Sequence, residues 1–271
     1  MRMAVPNETT DLPVNDFGSL REVTSLARPL LCIEEILGRA EQGITKPFLC
    51  RGNDGLLYYV KGVAANRRSL ICEWMAGTLA TDFGLNVPPL RIAYVPAGLA
   101  ELHPEGRDLG SGPVFASQAA QKLNEILFQQ TQLVPQEVRR DVIAFDWWVR
   151  NADRSLTATG GNPNLFWDSG SRELVVIDHN QAFDPDFDPQ AFLATHIFQA
   201  EFSALCSDLV LMAQYAARMK GTLKLWDEAW KMVPDEWLFH DDEQTIPIDF
   251  NPSAGAELLA RCNTEDLWRL P

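Results

Sequence analysis

Short apolar runs bounded by turn residues crowd the first half of this chain, whereas helical periodicity dominates the second. Such a chain has to pair strands in front and pack helices behind. In the front half, Pro47 to Arg51 and Leu56 to Val60 flank Gly52-Asn53-Asp54-Gly55. Asn, Asp and Gly tolerate the positive φ of tight turns, so the segment reads as a β-hairpin. Leu90 to Val95 and Val114-Phe115-Ala116 are further strand candidates. Leu70 to Phe83 reads as a helix with Ile71, Trp74, Met75 and Leu79 on one stripe. Gly84 closes it, and Val87-Pro88-Pro89 cannot continue it. Leu30 to Ala40 also reads as helical, from the spacing of Leu30, Ile33 and Leu37 with Gly38 near the end.

Behind these lie three helical stretches, Gln118 to Phe128, Pro135 to Arg150 and Ala204 to Met219. Between the last two sits a strand–turn–strand unit: Asn164 to Trp167, Asp168-Ser169-Gly170-Ser171, then Leu174 to Ile177. A helical remainder runs to Trp226 and Trp230, whose spacing favours core packing. The expected organisation is a polar arm over 1–19, a small β-rich lobe over 20–116 and a larger, mostly helical lobe over 117–271. This is an α+β architecture whose cleft is the natural place for a ligand. The 271 residues fit one to two domains at about 150 each.

Composition removes several functions. With 37 acidic against 23 basic side chains the net charge is −14, which argues against general affinity for nucleic acid or anionic lipid. No run reaches the roughly 18 apolar residues of a membrane span. Met1 to Pro13 carries no apolar signal-peptide core. The five cysteines, Cys32, Cys50, Cys72, Cys206 and Cys262, have long irregular gaps and form no CxxC or His/Cys metal pattern. Reduced thiols in a cytoplasmic protein are the expectation.

Charged residues at the ends of apolar runs carry the chemistry. Lys61 ends Leu57-Tyr58-Tyr59-Val60, and strand alternation puts it on the face of Leu57 and Tyr59. An ammonium facing apolar neighbours either snorkels to water or needs an anion to stay charged. Glu73, beside the helical stripe of Ile71, Trp74 and Met75, is a candidate partner. Asp178 closes Leu174-Val175-Val176-Ile177; a carboxylate there either caps the next turn or is paired or cation-bound. Asp153 and Asn164 lie on one loop that the following hairpin brings beside Asp178. Phosphoryl transfer needs a carboxylate to orient a hydroxyl, Asn and Asp to hold magnesium, and a lysine to steady phosphates. The order Lys61, Glu73, Asp153, Asn164, Asp178 supplies each once. His179 reads as structural, and Asp184-Pro185-Asp186-Phe187-Asp188 as a solvated acidic loop, since it lacks the glycine and distal glutamate of an EF-hand.

Phe145-Asp146-Trp147-Trp148-Val149-Arg150-Asn151-Ala152-Asp153-Arg154, then Asn162-Pro163-Asn164-Leu165-Phe166 and Val176-Ile177-Asp178-His179, resemble the catalytic core of HipA-like kinases, part of the protein-kinase-like superfamily. Tyr59-Val60-Lys61, Cys72-Glu73 and Phe83-Gly84-Leu85-Asn86-Val87-Pro88 resemble the same family's N-lobe. The resemblance, over about 43–184, implies a two-lobed protein-kinase-like fold binding ATP with Mg2+. It implies that Lys61 contacts the α- and β-phosphates and that Glu73 pairs with Lys61. Asp153 would be the catalytic carboxylate, with Asn164 and Asp178 as metal ligands and Asn162 as a rival to Asn164. Phe115, Ala116, Ser117 and Gln118 would form the interlobe hinge against adenine. Thr45 and Lys46, in Gly43-Ile44-Thr45-Lys46, would form the phosphate loop. Arg154 would either balance charge near the transferred phosphate or make a structural ion pair. The implied activity is transfer of the γ-phosphoryl group to a hydroxyl, with protein Ser/Thr as acceptor. The alternatives are a small-molecule kinase of the aminoglycoside phosphotransferase kind and a nucleotide-binding pseudokinase acting on a partner.

Overall fold

Five strands close into a barrel in the order β1-β2-β3-β5-β4: β1 (Leu31–Arg39), β2 (Phe48–Gly52), β3 (Leu57–Lys61), β4 (Leu90–Val95) and β5 (Gly112–Gln118). This computed structural model describes residues 29–40, 46–119, 124–168 and 170–269; the polar arm over 1–19 and Thr45 lie outside them. The hairpin forms as its sequence predicts, with Cys50 opposite Tyr58 and Gly55 at φ 78° in the turn. Closure comes from β1, which pairs antiparallel with β2 and parallel with β4 through Leu31↔Ala93 and Cys32↔Tyr94. Leu31, Ile33, Phe48, Tyr58, Val60, Ala93, Val95, Val114 and Ala116 fill the barrel.

The segment Leu30 to Ala40 is therefore a strand and not a helix. Two irregularities in its register, between Ile33 and Glu35 and between Ile36 and Gly38, explain the misleading periodicity. Leu31 and Ile33 alternate inward; the extra residue then shifts the phase so that Ile36 also packs on the barrel core. A bulged strand thus spaces its apolar residues by two and then by three, which imitates a helix. Leu30 and Leu37, which suggested the helical stripe, are exposed.

Helix α1 (Arg67–Phe83) starts at Asn66, whose side chain accepts the Arg68 N–H, and stops at Gly84 in the left-handed region (φ 96°). It is buried on most sides, with Leu70, Ile71, Met75, Ala76, Leu79 and Phe83 in a second, larger core. Short helices α2 (Ala97–Leu102) and α3 (Gly106–Leu109) join β4 to β5, and Leu109 plugs the barrel interior. The larger core is completed by α4 (Gln136–Val149), a three-stranded sheet, and the later helices. That sheet has the order β10-β9-β6, from β6 (Asn124–Glu125), β9 (Leu165–Asp168) and β10 (Glu173–Val176). Between α4 and β9 a small hairpin forms from β7 (Ser155–Thr157) and β8 (Gly160–Asn162).

Two helical expectations in the second half are corrected. Gln118 to Phe128 holds the end of β5 and strand β6, with a 3-10 turn following from Phe128. The Ala204 to Met219 stretch divides into α6 (Ala200–Cys206) and α7 (Leu209–Thr222), following α5 (Pro189–Thr195). The break is chemical: the Asp208 side chain accepts the Val210 and Leu211 N–H groups and starts a new helix. Helices α8 (Trp226–Lys231) and α9 (Pro252–Leu259) follow, and then 3-10 turns over Ala260–Asn263 and Glu265–Trp268. Trp226 and Trp237 are core residues, and Trp230 stacks on Phe250 at 5.6 Å. In the acidic loop, Asp184 accepts the Asp186 N–H and Asp188 caps α5. The fold mixes strands and helices, and among the described residues no helix is long and apolar enough to cross a membrane.

Candidate active site

Lys61 is the last residue of β3. Tyr58 and Val60 point into the barrel, so alternation turns Leu57, Tyr59 and Lys61 to its outer face. Register places Lys61 opposite Phe115, and Phe115 opposite Ile92, on the face that α1 covers. There Lys61 is largely shielded from water: it is 8% exposed and Glu73 only 3%. The Lys61 Nζ is ion-paired with Glu73 Oε1, and lies 2.9 Å from Asp178 Oδ2. The other Glu73 oxygen accepts the His179 N–H at 3.0 Å. Glu73 thereby ties the barrel lysine to the segment that follows β10.

Electrostatics follow from one cation between two carboxylates. Burial alone would lower the Lys61 pKa, but Glu73 and Asp178 more than offset it and raise it, so Lys61 stays charged. Burial pushes Glu73 up, with Lys61 opposing and Asp178 adding to the rise. At Asp178 burial also opposes ionisation, yet Lys61 holds the carboxyl below its ordinary range. The neighbouring His179 ring is buried against Phe145, and burial pushes it down to about 3, so it is neutral.

Asp153 stands on the loop after α4, which ends at Arg150 in the left-handed region. Its Oδ2 accepts hydrogen bonds from Asn162 Nδ2 at 2.8 Å and Asn164 Nδ2 at 3.1 Å. An ionised carboxylate only accepts, so Asp153 fixes both amides with their nitrogens toward it. Their amide oxygens accept no hydrogen bond among the described residues. Burial raises the Asp153 pKa against the lowering pull of the two asparagines. Asn164 (φ 49°) and Asp178 (φ 57°) both occupy the left-handed region, which is uncommon for residues other than glycine.

Donor chemistry fits magnesium. The cation takes hard oxygen ligands, commonly one or two from protein and the rest from phosphate and water. Asn164 and Asp178 supply one amide oxygen and one carboxylate. No cluster of three or more His, Cys, Asp or Glu side chains suited to a metal occurs among the described residues, so this is no closed protein cage.

Lys61, Glu73 and Asp178 are in direct contact, and Asp153, Asn162 and Asn164 form a second contact group. The nucleotide-binding expectations fare differently. Lys46 is exposed, its carbonyl accepts from Arg39, and its side chain makes no hydrogen bond or ion pair with these groups. Phe115, Ala116 and Ser117 lie in β5 paired on both sides, and Gln118, its last residue, pairs with Tyr58 and donates its N–H to Pro89 O at 2.9 Å. Phe115 flanks Lys61, whereas Ala116 faces the barrel interior. Arg154 is fully buried and its ion pair is structural, 2.7 Å from Asp146 Oδ2.

Asp146 is the residue that sequence reasoning passed over. It accepts from Asn151 Nδ2 at 3.0 Å, Arg154 Nε at 2.7 Å and His196 Nε2 at 3.0 Å. The available signal was a carboxylate inside the apolar helical run Val142 to Val149, a place where an unpaired charge is not tolerated.

Residues 33–271 match the family described as HipA-like kinase. The chain belongs to the HipA-like kinase family. No curated protein matches it. Among solved structures it is similar to the Helicobacter pylori proinflammatory kinase CtkA, at 11% identity and a TM-score of 0.40, over 89% of this chain and 97% of that one. It is also similar to the CtTel1 dimer, at 14% identity and a TM-score of 0.26, over 97% of this chain and 12% of that one. Family membership rests on the sequence match and not on these structural likenesses.

Proposed function

We propose that this HipA-like kinase binds ATP with Mg2+ and transfers the γ-phosphoryl group to a hydroxyl, with a protein Ser or Thr as acceptor. The observation that carries the reading is the meeting of Lys61, Glu73 and Asp178, from a strand end, a helix and a loop far apart in sequence. In this reading residues 20–116 form the nucleotide-side lobe and 117–271 the catalytic lobe, with the boundary inside β5, between Ala116 and Ser117. Magnesium, when bound, neutralises phosphate charge; Asn164 and Asp178 would hold it.

The remaining work belongs to this chain's own residues. Lys61 offers a charged ammonium for phosphate oxygens, and Glu73 holds that ammonium against the outer face of the barrel. Asp153 orients the acceptor hydroxyl and takes its proton; the burial that raises its pKa makes it a better base than an exposed aspartate. Asn162 and Asn164 hold the Asp153 carboxylate in place. The purified protein is expected to consume ATP or phosphorylate itself with Mg2+ present, and Asp153→Ala or Asp178→Ala to abolish this. Phosphoryl transfer that survives both substitutions overturns the assignment.

A further inference from the structure

Arg154 is adjacent to Asp153 in sequence, yet its side chain runs the opposite way, into the protein. Asp153 is half-buried, whereas Arg154 has no exposed surface. One edge of the guanidinium is anchored by Nε to Asp146 Oδ2 at 2.7 Å. The other edge reaches backbone carbonyls: Nη1 donates to Asn164 O at 2.7 Å, to Ile177 O at 3.1 Å and, at the longer 3.4 Å, to Pro163 O. The Ile177 N–H also donates to Asn164 O at 3.1 Å, so these two backbone segments are cross-linked twice.

The two nearer carbonyls belong to chosen positions. One is that of Asn164 itself and the other that of the residue before Asp178. Asn164 and Asp178 are both left-handed, a conformation unfavourable for a non-glycine residue that persists only where surrounding contacts over-determine it. Charge-assisted hydrogen bonds from one guanidinium supply such contacts at both places. The anchor is itself held: His196 Nδ1 accepts the Phe198 N–H, which leaves Nε2 to carry the proton and donate to Asp146. Asn151 Nδ2 occupies the other Asp146 oxygen.

We propose that Arg154, anchored by Asp146 and His196, is a positioning residue that clamps Asn164 and Asp178 in the conformations that receive magnesium. Lysine cannot replace it: an ammonium on a flexible stem can pair with Asp146 or reach the carbonyls, but does not span both. The inference rests on the reading of Asn164 and Asp178 as metal ligands. Outer-shell partners of metal ligands typically contribute 10- to 100-fold in metal affinity, which sets the expected size at roughly that range.

The test is calorimetric binding of a non-hydrolysable ATP analogue, with and without Mg2+, to the full chain and its variants, with circular dichroism to establish folding. Arg154→Lys is expected to lose roughly 10- to 100-fold of the Mg2+-dependent gain in affinity while metal-free nucleotide binding is unchanged. His196→Gln, a milder change one step further out, is expected to lose part of the same gain and covers the case in which Arg154→Lys does not fold. A folded Arg154→Lys with the parental Mg2+ gain overturns the proposal, as does an equal loss of metal-free and Mg2+-dependent binding. If Arg154→Lys is unfolded, a parental gain in His196→Gln overturns it. Asp178→Asn separates the two readings. If that variant keeps the full Mg2+ gain, the metal-ligand reading itself fails and the clamp with it; if it abolishes the gain, the Arg154 result judges the clamp alone.

Discussion

Replacing Lys61 by methionine leaves Glu73 and Asp178 facing each other with no cation between them. Glu73 is 3% exposed and the Asp178 side chain 17%, so water screens the two carboxylates only weakly. The variant escapes the repulsion by binding a proton, and Glu73, whose pKa burial and Asp178 already raise, is the site that takes it. The cost of that proton sets a ceiling on the destabilisation. Protonating a glutamate of ordinary pKa about 4.3 costs about 3.7 kcal/mol at pH 7 and about 1 kcal/mol at pH 5. The sign is fixed by linkage: the folded variant holds one proton more than the unfolded chain, so its stability falls by about 1.4 kcal/mol per pH unit above the unfolded pKa. Because burial already holds the parent's Glu73 carboxyl up at about 7, urea unfolding of Lys61→Met from pH 7 to 9 should show a penalty relative to the parent that grows with pH, and a flat one below that range. In Lys61→Met/Glu73→Gln only Asp178 remains, and the extra slope should vanish. A penalty independent of pH, or an undiminished slope in the double variant, would refute the argument.

Three further outcomes follow from single contacts. A Cβ at Gly62 would stand 1.8 Å from the Leu109 carbonyl oxygen, a backbone atom that cannot swing aside, so Gly62→Ala should lower stability by roughly 1–3 kcal/mol in urea unfolding. Trp148→Phe removes the donor to Leu259 O, at 2.8 Å in the core, and should cost at least about 1–3 kcal/mol by the same measurement. Burial opposes the ionisation of Asp146, but Arg154 and His196 prevail and hold its carboxyl far below the ordinary range. Its contribution is thus present above pH about 4 and lost as pH falls toward its folded pKa. Asp146→Asn should lose about 3–5 kcal/mol at pH 7, and less at pH 3.

The sequence was legible where one local rule governed an element. Gly52-Asn53-Asp54-Gly55 fixed the hairpin, and Gly84 the end of α1, because turn and cap chemistry act within a few residues. Alternation from Tyr58 and Val60 also put Lys61 on the correct face. Reading failed where phase was reset by something non-local. The β1 irregularities exist because the strand must pair with both β2 and β4 in a closed barrel, and no short window contains those partners. Gln118 to Phe128 failed for a similar reason: its short strand β6 owes its form to pairing with β9, some forty residues on. At the site, Lys61, Glu73 and Asp178 announced themselves by standing at or beside apolar runs. Asp146 stood in such a run too, but its partners Asn151, Arg154 and His196 are assembled only when the β7–β8 hairpin and the α5 end fold back onto α4.

The two buried charge networks differ in a way that separates structure from chemistry. Around Asp146 the sum is zero: one carboxylate, the Arg154 guanidinium and a His196 that burial keeps neutral. Its side chains are at most 1% exposed and its formal charges balance, although Arg154 Nη2 and Asn151 Oδ1 are buried without a hydrogen-bond partner among the described residues. Around Lys61 one cation faces two carboxylates, so the fully ionised group carries an uncompensated negative charge, and the Asp178 side chain keeps 17% of its surface open. A buried excess charge is unfavourable in a finished structure, because its desolvation is not recovered by a partner. It becomes favourable when a cation arrives at its open edge. The Asp178 side of the Lys61 network is that edge, and Arg154 links the balanced network to the unbalanced one through the carbonyls of Asn164 and Ile177. On the proposed reading, magnesium at that edge would supply the positive charge the second network lacks.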